Sequence, residues 1–361
     1  MSSDRKSIAV VIALLAVALA AALIAAFESG SHLRAASPTT TSPPTTTSPP
    51  TTTTSPAVAA DRCPLTDLPA AHGVPRRPAL AIKVGNEPFG ARPQSGLNEA
   101  DVVFDTPAEG FIMRYIAVYQ CNNAASVGPT RSVRWVDWHL VREFHRAILA
   151  FAGGINPNVD RVESFTWLSA ANLLENAGAA GVRISSRVPP DNLYSSTTAL
   201  YRMFPQRKAP PKPVFSFSAR VPGGGERIHG FYIDFSYGTD VIWKWDSQLH
   251  MWLHTYGGVP DIDTLTGKPV TARNVVVVVV DYRFGPYIES TGGSGDVESQ
   301  TLGGGVGYVL RNDRAIKIFW YRKDLVDPFT FFHGKHELVR LSPGRTWVEI
   351  VPVRTPLGII R

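Results

Sequence analysis

The amino-acid sequence predicts an α+β fold, in which an N-terminal α/β layered domain is followed by a mostly antiparallel β domain. Between residues 61 and 210, short apolar runs alternate with segments of helical periodicity. Between residues 211 and 361, strand-like runs are separated by Gly, Pro and Asp, and no long helical pattern occurs. A long apolar run precedes both parts. We therefore expect a tethered protein with two folded domains.

The N-terminal end of the chain carries a candidate membrane anchor. The run 8–27 is apolar throughout, and as a helix it would be about 30 Å long, the thickness of a bilayer core. Arg5 and Lys6 precede this run, which favours a cytoplasmic N-terminus and an extracytoplasmic remainder. Residues 1–36 are therefore predicted to be a cytoplasmic tip and a single-pass signal anchor. A signal peptide cleaved at 35–36 is the alternative.

Residues 37–60 form a candidate linker that is rich in Ser, Thr and Pro. Such a composition cannot build an apolar core and favours an extended, disordered chain. The linker would hold the folded part away from the membrane. A plain spacer and an O-glycosylated stalk are both compatible with this composition.

The balance of charge narrows the choice of partners. The chain has 361 residues, with 36 Lys and Arg against 30 Asp and Glu, and its formal net charge is +6. The basic residues are spread along the chain and form no block, so nucleic acid is not an expected partner. Attraction to acidic envelope polymers or to lipid headgroups remains open.

Cysteine and histidine are too few and too scattered to suggest a metal site. Neither the two cysteines, Cys63 and Cys121, nor the nine histidines have metal-binding spacing, so no metal or other cofactor is expected. Both cysteines are predicted to lie outside the cytoplasm, where an oxidising compartment permits a disulfide. A bridge between them and a pair of unpaired thiols are the two alternatives.

The first folded part, residues 61–210, is predicted to alternate strands and helices. Apolar runs indicate strands, and apolar residues at helical spacing indicate helices. The predicted strands are 79–84, 102–104, 115–119 and 147–152. The predicted helices are a single turn at 97–100, a helix with Ser132 as its N-cap, and helices at 164–174 and 197–204.

The second folded part, residues 211–361, is predicted to be a β domain, either sandwich-like or a half-barrel. Its predicted strands are 214–217, 231–235, 241–245, 251–256, 274–281, 315–321 and 346–351. The six consecutive valines from Val275 to Val280 indicate a strand that is buried on both faces.

Four arginines lie at the edges of short apolar runs: Arg92, Arg114, Arg131 and Arg134. A guanidinium is always charged and presents a fork of donors that suits phosphate or carboxylate. Ligands of layered α/β sheets bind beyond the strand ends, and the segment 128–134 is predicted to lie at such a place. We therefore hypothesise that these arginines bind an anion.

Three carboxylates surround one predicted strand: Asp101, Asp105 and Glu109. They offer an alternative to ligand binding, because internal ion pairs with the arginines would fix the loops around the sheet. Asp105 and Glu109 are also the candidates for a catalytic acid or base. No nucleophile accompanies them, since Ser132 lies outside any GxSxG pattern.

Several short motifs carry a family resemblance. They are ARPQSGL at 91–97 with Ala100-Asp101, Glu109-Gly110 with Arg114, GPTRSVR at 128–134, Ala152–Gly154, Asn192–Tyr194, and GRTW at 344–347 with Val351-Pro352. In these motifs the chain resembles the YerB-like bacterial envelope proteins, a family named for a Bacillus lipoprotein and without an assigned function. The resemblance covers roughly residues 77–352 and implies two domains, an extracytoplasmic location and membrane attachment. The anchor differs from the family pattern, because many members carry a lipidated Cys where this chain has an apolar run.

The sequence therefore favours a membrane-anchored binding or scaffold protein on the outer face of the bacterial membrane. Its expected partners are the membrane, an anionic cell-wall polymer or lipid-linked precursor, and wall-synthesis proteins. The alternative is an envelope hydrolase or transferase that acts on phosphorylated glycan precursors, with Asp105 or Glu109 as the base. A structural partner of wall synthases, without a small ligand, is a third hypothesis.

Overall fold

The computed structural model describes residues 61–176, 178–221, 224–235, 240–289, 293 and 295–361. The predicted membrane anchor at 8–27 and the predicted linker at 37–60 lie outside these residues. No helix in the described part of the chain is long and apolar enough to cross a bilayer.

Strands and short helices alternate in the first half of the chain. The helices are α1 (Trp135–Val141), α2 (Asn156–Glu163) and α3 (Thr197–Met203), and single 3-10 turns lie at Leu97–Glu99, Glu109–Phe111, Arg142–Phe144 and Gly178–Ala180. The strands are β1 (Leu80–Val84), β2 (Val102–Pro107), β3 (Met113–Tyr119), β4 (Ile148–Phe151), β5 (Ser169–Asn172), β6 (Val182–Arg183) and β7 (Leu193–Tyr194). Ser196 caps α3, because its hydroxyl accepts a hydrogen bond from the N–H of Ala199 at 3.1 Å.

The described residues of the second half form strands without helices. They are β8 (Glu226–Arg227), β9 (Gly230–Ile233), β10 (Val241–Asp246), β11 (Met251–Tyr256), β12 (Val259–Pro260), β13 (Ile262–Asp263), β14 (Lys268–Pro269), β15 (Thr271–Ala272), β16 (Asn274–Val280), β17 (Tyr282–Ile288), β18 (Gly295–Ser299), β19 (Gly303–Arg311), β20 (Arg314–Arg322), β21 (Thr330–His333), β22 (Glu337–Leu338), β23 (Thr346–Pro352) and β24 (Leu357–Ile360).

A large mixed sheet of twelve strands runs through both halves of the chain. Its order is β22-β21-β20-β19-β16-β23-β2-β3-β1-β4-β5, and β8 pairs with β20. The strands β1, β4 and β5 are parallel to one another, as are β16, β23 and β2, and the remaining pairs are antiparallel. A smaller antiparallel sheet of six strands has the order β12-β11-β10-β9-β24, and β15 pairs with β11.

Both faces of the large sheet are buried. Successive side chains of β1 point to opposite faces of the sheet, so Ile82 lies in one core and Ala81 in the other. The first core includes Trp243 of the small sheet, and the second includes Val136 of α1. The large sheet is therefore covered by the small sheet and α3 on one face and by α1 and α2 on the other.

The central strand β16 follows its valine run. It is hydrogen-bonded between β19 and β23, and most of its side chains are fully buried, as the sequence predicts. Gly307 of β19 lies so close to this strand that a Cβ atom there would be 2.0 Å from the Val277 carbonyl oxygen. A residue with a side chain would therefore force the two strands apart.

A disulfide joins Cys63 to Cys121, whose Cα atoms are 6.0 Å apart. It ties the start of the folded part to the turn after β3. The carboxylate of Asp101 supports the same turn, because it accepts hydrogen bonds from the N–H groups of Gln120 at 2.6 Å and Cys121 at 3.0 Å and from the Asn122 side chain. Asp101 is therefore a loop-fixing residue that does not pair with a predicted arginine.

Three local predictions are wrong. The predicted helix at 164–174 contains β5, whose small residues pair in parallel with β4. The predicted strand at 214–217 forms only an isolated bridge from Phe217 to Leu341. The helix predicted to begin after Ser132 begins at Trp135, because hydrogen bonds hold the preceding segment in an extended conformation.

The two predicted domains share the large sheet. Val102–Asp105 of β2 pair in parallel with Thr346–Glu349 of β23, across the division predicted at residue 210. The helices are few and short, so the described protein is mostly β, and the first half is less helical than the prediction of an α/β layered domain implies.

Candidate anion-binding site

The segment 129–133 lies between the carboxyl ends of two parallel strands. Beyond β1, the N–H of Gly85 donates to the Pro129 carbonyl at 2.8 Å, and beyond β4 the N–H of Ala152 donates to the Arg131 carbonyl at 2.9 Å. Ligands of parallel sheets commonly bind at this end of the strands. The backbone therefore holds Arg131 where the sequence predicts a binding segment.

Three of the four predicted arginines converge on two shared carboxylates. Glu109 accepts hydrogen bonds from Arg114 at 2.8 Å and from Arg134 at 2.7 Å. Glu87 lies 3.0 Å from Arg114 and 2.7 Å from Arg131. Arg114 therefore bridges the two carboxylates, and the five side chains form one continuous ion-pair network.

The network continues to two further carboxylates. Arg131 Nη1 lies 3.4 Å from Asp191, and Arg134 Nη1 lies 3.3 Å from Glu289. The side chains of Arg114 and Arg134 are only 5% and 4% exposed, whereas that of Arg131 is 15% exposed. Arg131 is therefore the arginine of this network that an incoming ligand reaches most easily.

The arginines keep Glu109 ionised. Burial by itself would raise the pKa of Glu109, but the hydrogen bonds from Arg134 and the charge of Arg114 lower it to about 2. A general base works best when its pKa is near the operating pH. Glu109 is consequently a weak base, and its geometry suits the role of an internal counter-ion.

A pocket of about 240 Å³ opens beside Arg131. Its lining residues are Thr130, Arg131, Ser132, Ala152, Leu174, Arg183, Pro189, Pro190 and Leu193. They provide two guanidinium groups and two hydroxyl groups, and none of them is acidic. Thr130 is buried, and its Oγ1 has no hydrogen-bond partner among the described residues. This donor set suits an oxyanion.

The fourth predicted arginine, Arg92, is held in a different set of contacts. Its guanidinium stacks on the ring of Tyr256 at 3.2 Å from the ring centroid, and its Nε donates to Asn86 at 2.9 Å. The hydroxyl of Tyr256 donates to the same Asn86 oxygen at 2.5 Å. Arg92 therefore fastens its loop to the small sheet.

Asp105 lies beside another buried carboxylate. It is the register neighbour of Glu349 on the parallel strands β2 and β23, and both residues are fully buried. Burial and the adjacent Glu349 carboxylate raise the pKa of Asp105 well above its usual range, and burial also raises the pKa of Glu349. Trp243 Nε1 donates to Glu349 at 2.8 Å. This environment therefore favours the neutral, protonated form of Asp105.

The structure thus distributes the predicted arginines and carboxylates over four places, and the role of the arginines in ligand binding stays a prediction. Of the three carboxylates predicted as internal partners, Glu109 pairs with arginines, while Asp101 and Asp105 have the other roles described above. Sequence reasoning missed Glu87, Asp191 and Arg183. Glu87 lies five residues before Arg92, which is a weak signal, and no motif marks the other two.

The fold and the site together define a class of protein: a mostly β protein with few helices, whose large mixed sheet is shared by both halves and whose arginine-rich segment lies at the ends of parallel strands. The chain belongs to the YerB-like family. Residues 65–210 match the N-terminal domain, and residues 231–348 the C-terminal domain, of the protein family of unknown function DUF3048.

Two comparisons involve YerB of Bacillus subtilis. The chain is 28% identical over 301 residues to YerB of strain 168, a predicted lipoprotein, and the match covers 81% of this chain and 86% of YerB. It also resembles the crystal structure of the YerB protein from Bacillus subtilis with a TM-score of 0.71 and 26% identity, over 82% of this chain and 99% of that chain. The predicted lipidation of this relative is consistent with an envelope-associated protein.

Proposed function

We propose that this protein is an extracytoplasmic, membrane-anchored binding protein of the bacterial envelope, which recognises an anionic group of a wall polymer or of a lipid-linked precursor. The pocket beside Arg131 carries the proposal, because its lining provides guanidinium and hydroxyl groups without a carboxylate. Such donors match the oxygens of a phosphate or carboxylate.

Arg183 and Arg131 differ in how freely they could meet a ligand. Arg183 is exposed, and among the described residues its side chain makes one hydrogen bond, from Nη1 to Asn192 Oδ1 at 2.6 Å. Arg131 is tied to Glu87 and Asp191. An anion would therefore gain most from Arg183, and it would compete with Asp191 for the Nη1 group of Arg131.

Binding is favoured over catalysis by the state of the two candidate bases. Glu109 is ionised and engaged by arginines, and Asp105 is fully buried beside Glu349. Neither carboxylate is among the residues that line the pocket. Neither of the two predicted bases is therefore placed to act on a ligand of this pocket, as the hydrolase or transferase hypothesis requires.

The anchoring part of the proposal has two supports. The apolar run 8–27 is long enough to cross a bilayer once, and the positive charges before it favour an extracytoplasmic remainder. The Bacillus subtilis relative is a predicted lipoprotein, so a different anchor would hold it at a membrane surface. The proposal is therefore a single-pass anchor in place of a lipid anchor.

The experiment compares Arg183→Glu with Arg202→Glu, which makes the same charge change at an exposed position outside the pocket. Binding of glycerol phosphate oligomers and of polyglutamate is measured by isothermal titration, with neutral dextran as the blank. We expect Arg183→Glu to weaken binding at least about 10-fold, because it replaces a charge-assisted donor with a repelling group.

The control should bind within about 2-fold of the unaltered protein. Both variants should keep the melting temperature, since neither side chain is buried. Equal binding by the two variants, or no binding of either polymer by the unaltered protein, would contradict the proposed function.

A further inference from the structure

We infer that the second half of the chain holds a separate binding site, centred on Arg311, for an amphiphilic anion: a phosphate or carboxylate group carried on an apolar chain. This site shares no residue with the pocket beside Arg131. The inference therefore does not depend on the proposed function.

Arg311 is a buried charge that is held by backbone oxygens. The residue is 2% exposed. Its guanidinium donates to the carbonyl oxygens of Ser218 and Arg220, each at 2.9 Å, and to that of Arg340. Three carbonyl groups from two separate segments thus fix the guanidinium in one orientation.

No carboxylate of the described residues forms an ion pair with Arg311, and its buried Nε has no hydrogen-bond partner there. Every other arginine of the described part that is as deeply buried lies near a carboxylate, as Arg322 does at 3.6 Å from Glu143. Burial lowers the pKa of Arg311, and the nearby charge of Arg273 adds to this effect.

A buried cation without a counter-ion destabilises the fold, because desolvation of the charge is only partly offset by neutral carbonyl groups. An anion that accepts a hydrogen bond from Nε would complete the coordination of Arg311 and supply the opposite charge. The arrangement therefore suits a bound anion, and no carboxylate of the described residues takes that position.

A pocket of about 450 Å³ lies over Arg311. Its polar lining adds the guanidinium groups of Arg220 and Arg340, whereas Glu337 is its one acidic residue. The excess of positive charge favours an anion. The side chains of Arg220 and Arg340 are exposed, so they would contact the ligand from the solvent side.

The remaining lining of this pocket is largely apolar. Ile316, Leu338 and Val339 contribute aliphatic surface beside the charged groups. Mixed lining of this kind suits a ligand with a charged head and an apolar body. The head would lie against Arg311, and the aliphatic side chains would cover the first carbons of the chain.

The test uses the full chain and four small probes: hexyl phosphate, hexanoate, inorganic phosphate and hexyltrimethylammonium. Binding is followed by isothermal titration. The decisive variant is the double substitution Arg220→Glu and Arg340→Glu, at two exposed positions of the lining. The matched control is Lys323→Glu with Lys335→Glu, two exposed lysines outside the lining and with the same total change of charge.

We expect hexyl phosphate and hexanoate to bind with a Kd below about 1 mM, and at least about 10-fold more tightly than inorganic phosphate. The double arginine variant should weaken this binding by about 10-fold or more, and the double lysine variant by less than about 2-fold. Comparison of the phosphate and carboxylate probes then identifies the preferred head group.

Three results would overturn the inference: equal binding of the cationic probe, equal binding of inorganic phosphate and hexyl phosphate, or equal losses in the two double variants. Arg311→Gln tests the centre directly, and the exposed double variant decides the question if that protein does not fold. Where the two double variants lose equally, a loss of hexyl phosphate binding in Arg183→Glu would place the probe in the pocket beside Arg131, which separates a failure here from a failure of the proposed function.

Discussion

Lys83 shows how strongly a single buried charge depends on its partner. Its ammonium group lies 2.5 Å from the Asp137 carboxylate, and both side chains are fully buried. Burial lowers the pKa of Lys83, and the charge of Asp137 opposes this effect. Asp137 also accepts the N–H of Arg134 at 2.8 Å, so the pair joins β1 to the start of α1.

We expect Lys83→Met to lower the free energy of unfolding by about 3–5 kcal/mol, because it leaves the Asp137 carboxylate buried without a counter-ion. The loss is measured by urea unfolding at pH 7. The double variant Lys83→Met with Asp137→Asn should be less destabilised than the single variant, since no unpaired charge remains. Additive losses from the two substitutions would contradict this reasoning.

The Asp105–Glu349 pair makes stability depend on pH. The raised pKa of Asp105 means that the folded protein keeps a proton that the unfolded chain releases above about pH 4. Stability therefore falls as the pH rises from about 4 through the folded-state pKa. We expect Asp105→Asn to reduce this fall, because an amide can donate permanently to Glu349.

The measurement is the urea midpoint of both proteins between pH 4.5 and 8. Asp101, Glu143 and Glu289 also have raised pKa values, of about 6, 7 and 7. They contribute a fall of the same sign in both proteins, so the comparison isolates Asp105. Parallel pH profiles of the two proteins would show that Asp105 does not keep its proton in the folded state.

At the scale of elements, the ARPQSGL motif docks one half of the chain onto the other. Asp263, at the end of β13, accepts hydrogen bonds from the N–H groups of Gly96 at 2.9 Å and Asn98 at 2.6 Å. Gly96 has a φ of +87°, and a Cβ atom there would lie 2.5 Å from the Ser126 carbonyl oxygen. The left-handed backbone conformation of this turn therefore requires glycine at position 96.

Asp263→Ala should lower the free energy of unfolding by about 2–5 kcal/mol, because one buried and one partly buried N–H group lose their acceptor. Asp246→Ala is the control, since Asp246 also accepts two N–H groups, from Gln248 and Leu249, but in an exposed turn. Asp246→Ala should lower the free energy of unfolding by only about 1 kcal/mol, which is about the net value of an exposed hydrogen bond. Thermal and urea unfolding of both variants make the comparison, and similar losses would contradict a docking role.

Sequence patterns predict local elements of this fold better than its long-range pairing. The valine run of β16 and the Ser-capped helix α3 follow from residues that are adjacent in sequence. The sequence pattern predicts a helix where strand β5 lies. Its small residues Ser169–Asn172 form a strand because they pair with β4, and this long-range pairing leaves no local pattern. The candidate site is predicted only in part for the same reason, because Glu87 and Asp191 reach Arg131 from distant loops.

At the scale of the whole molecule, neighbouring central strands come from distant parts of the chain. Strand β2 (Val102–Pro107) belongs to the first half, and its partner β23 (Thr346–Pro352) belongs to the second. Removal of β23 would leave β2 and β16 as unpaired edges with buried apolar side chains. The matching family domains, by contrast, divide the sequence near residue 210.

We therefore expect the fragment 61–210 to lack a cooperative unfolding transition, whereas 61–361 unfolds in one transition. Circular dichroism during urea titration distinguishes the two outcomes. Mixing 61–210 with 211–361 should restore the transition, because the missing strands are then supplied in trans. An independently folded 61–210 fragment would show that β23 is dispensable to the first half.

The pairing of β2 with β23 also has a consequence for biogenesis. A chain is synthesised from its N-terminal side first, and strands that wait for a distant partner expose their apolar edges meanwhile. Here that wait lasts until β23 has been synthesised. A product truncated before β23 would keep the edges of β2 and β16 open, and we expect it to be degraded by proteases.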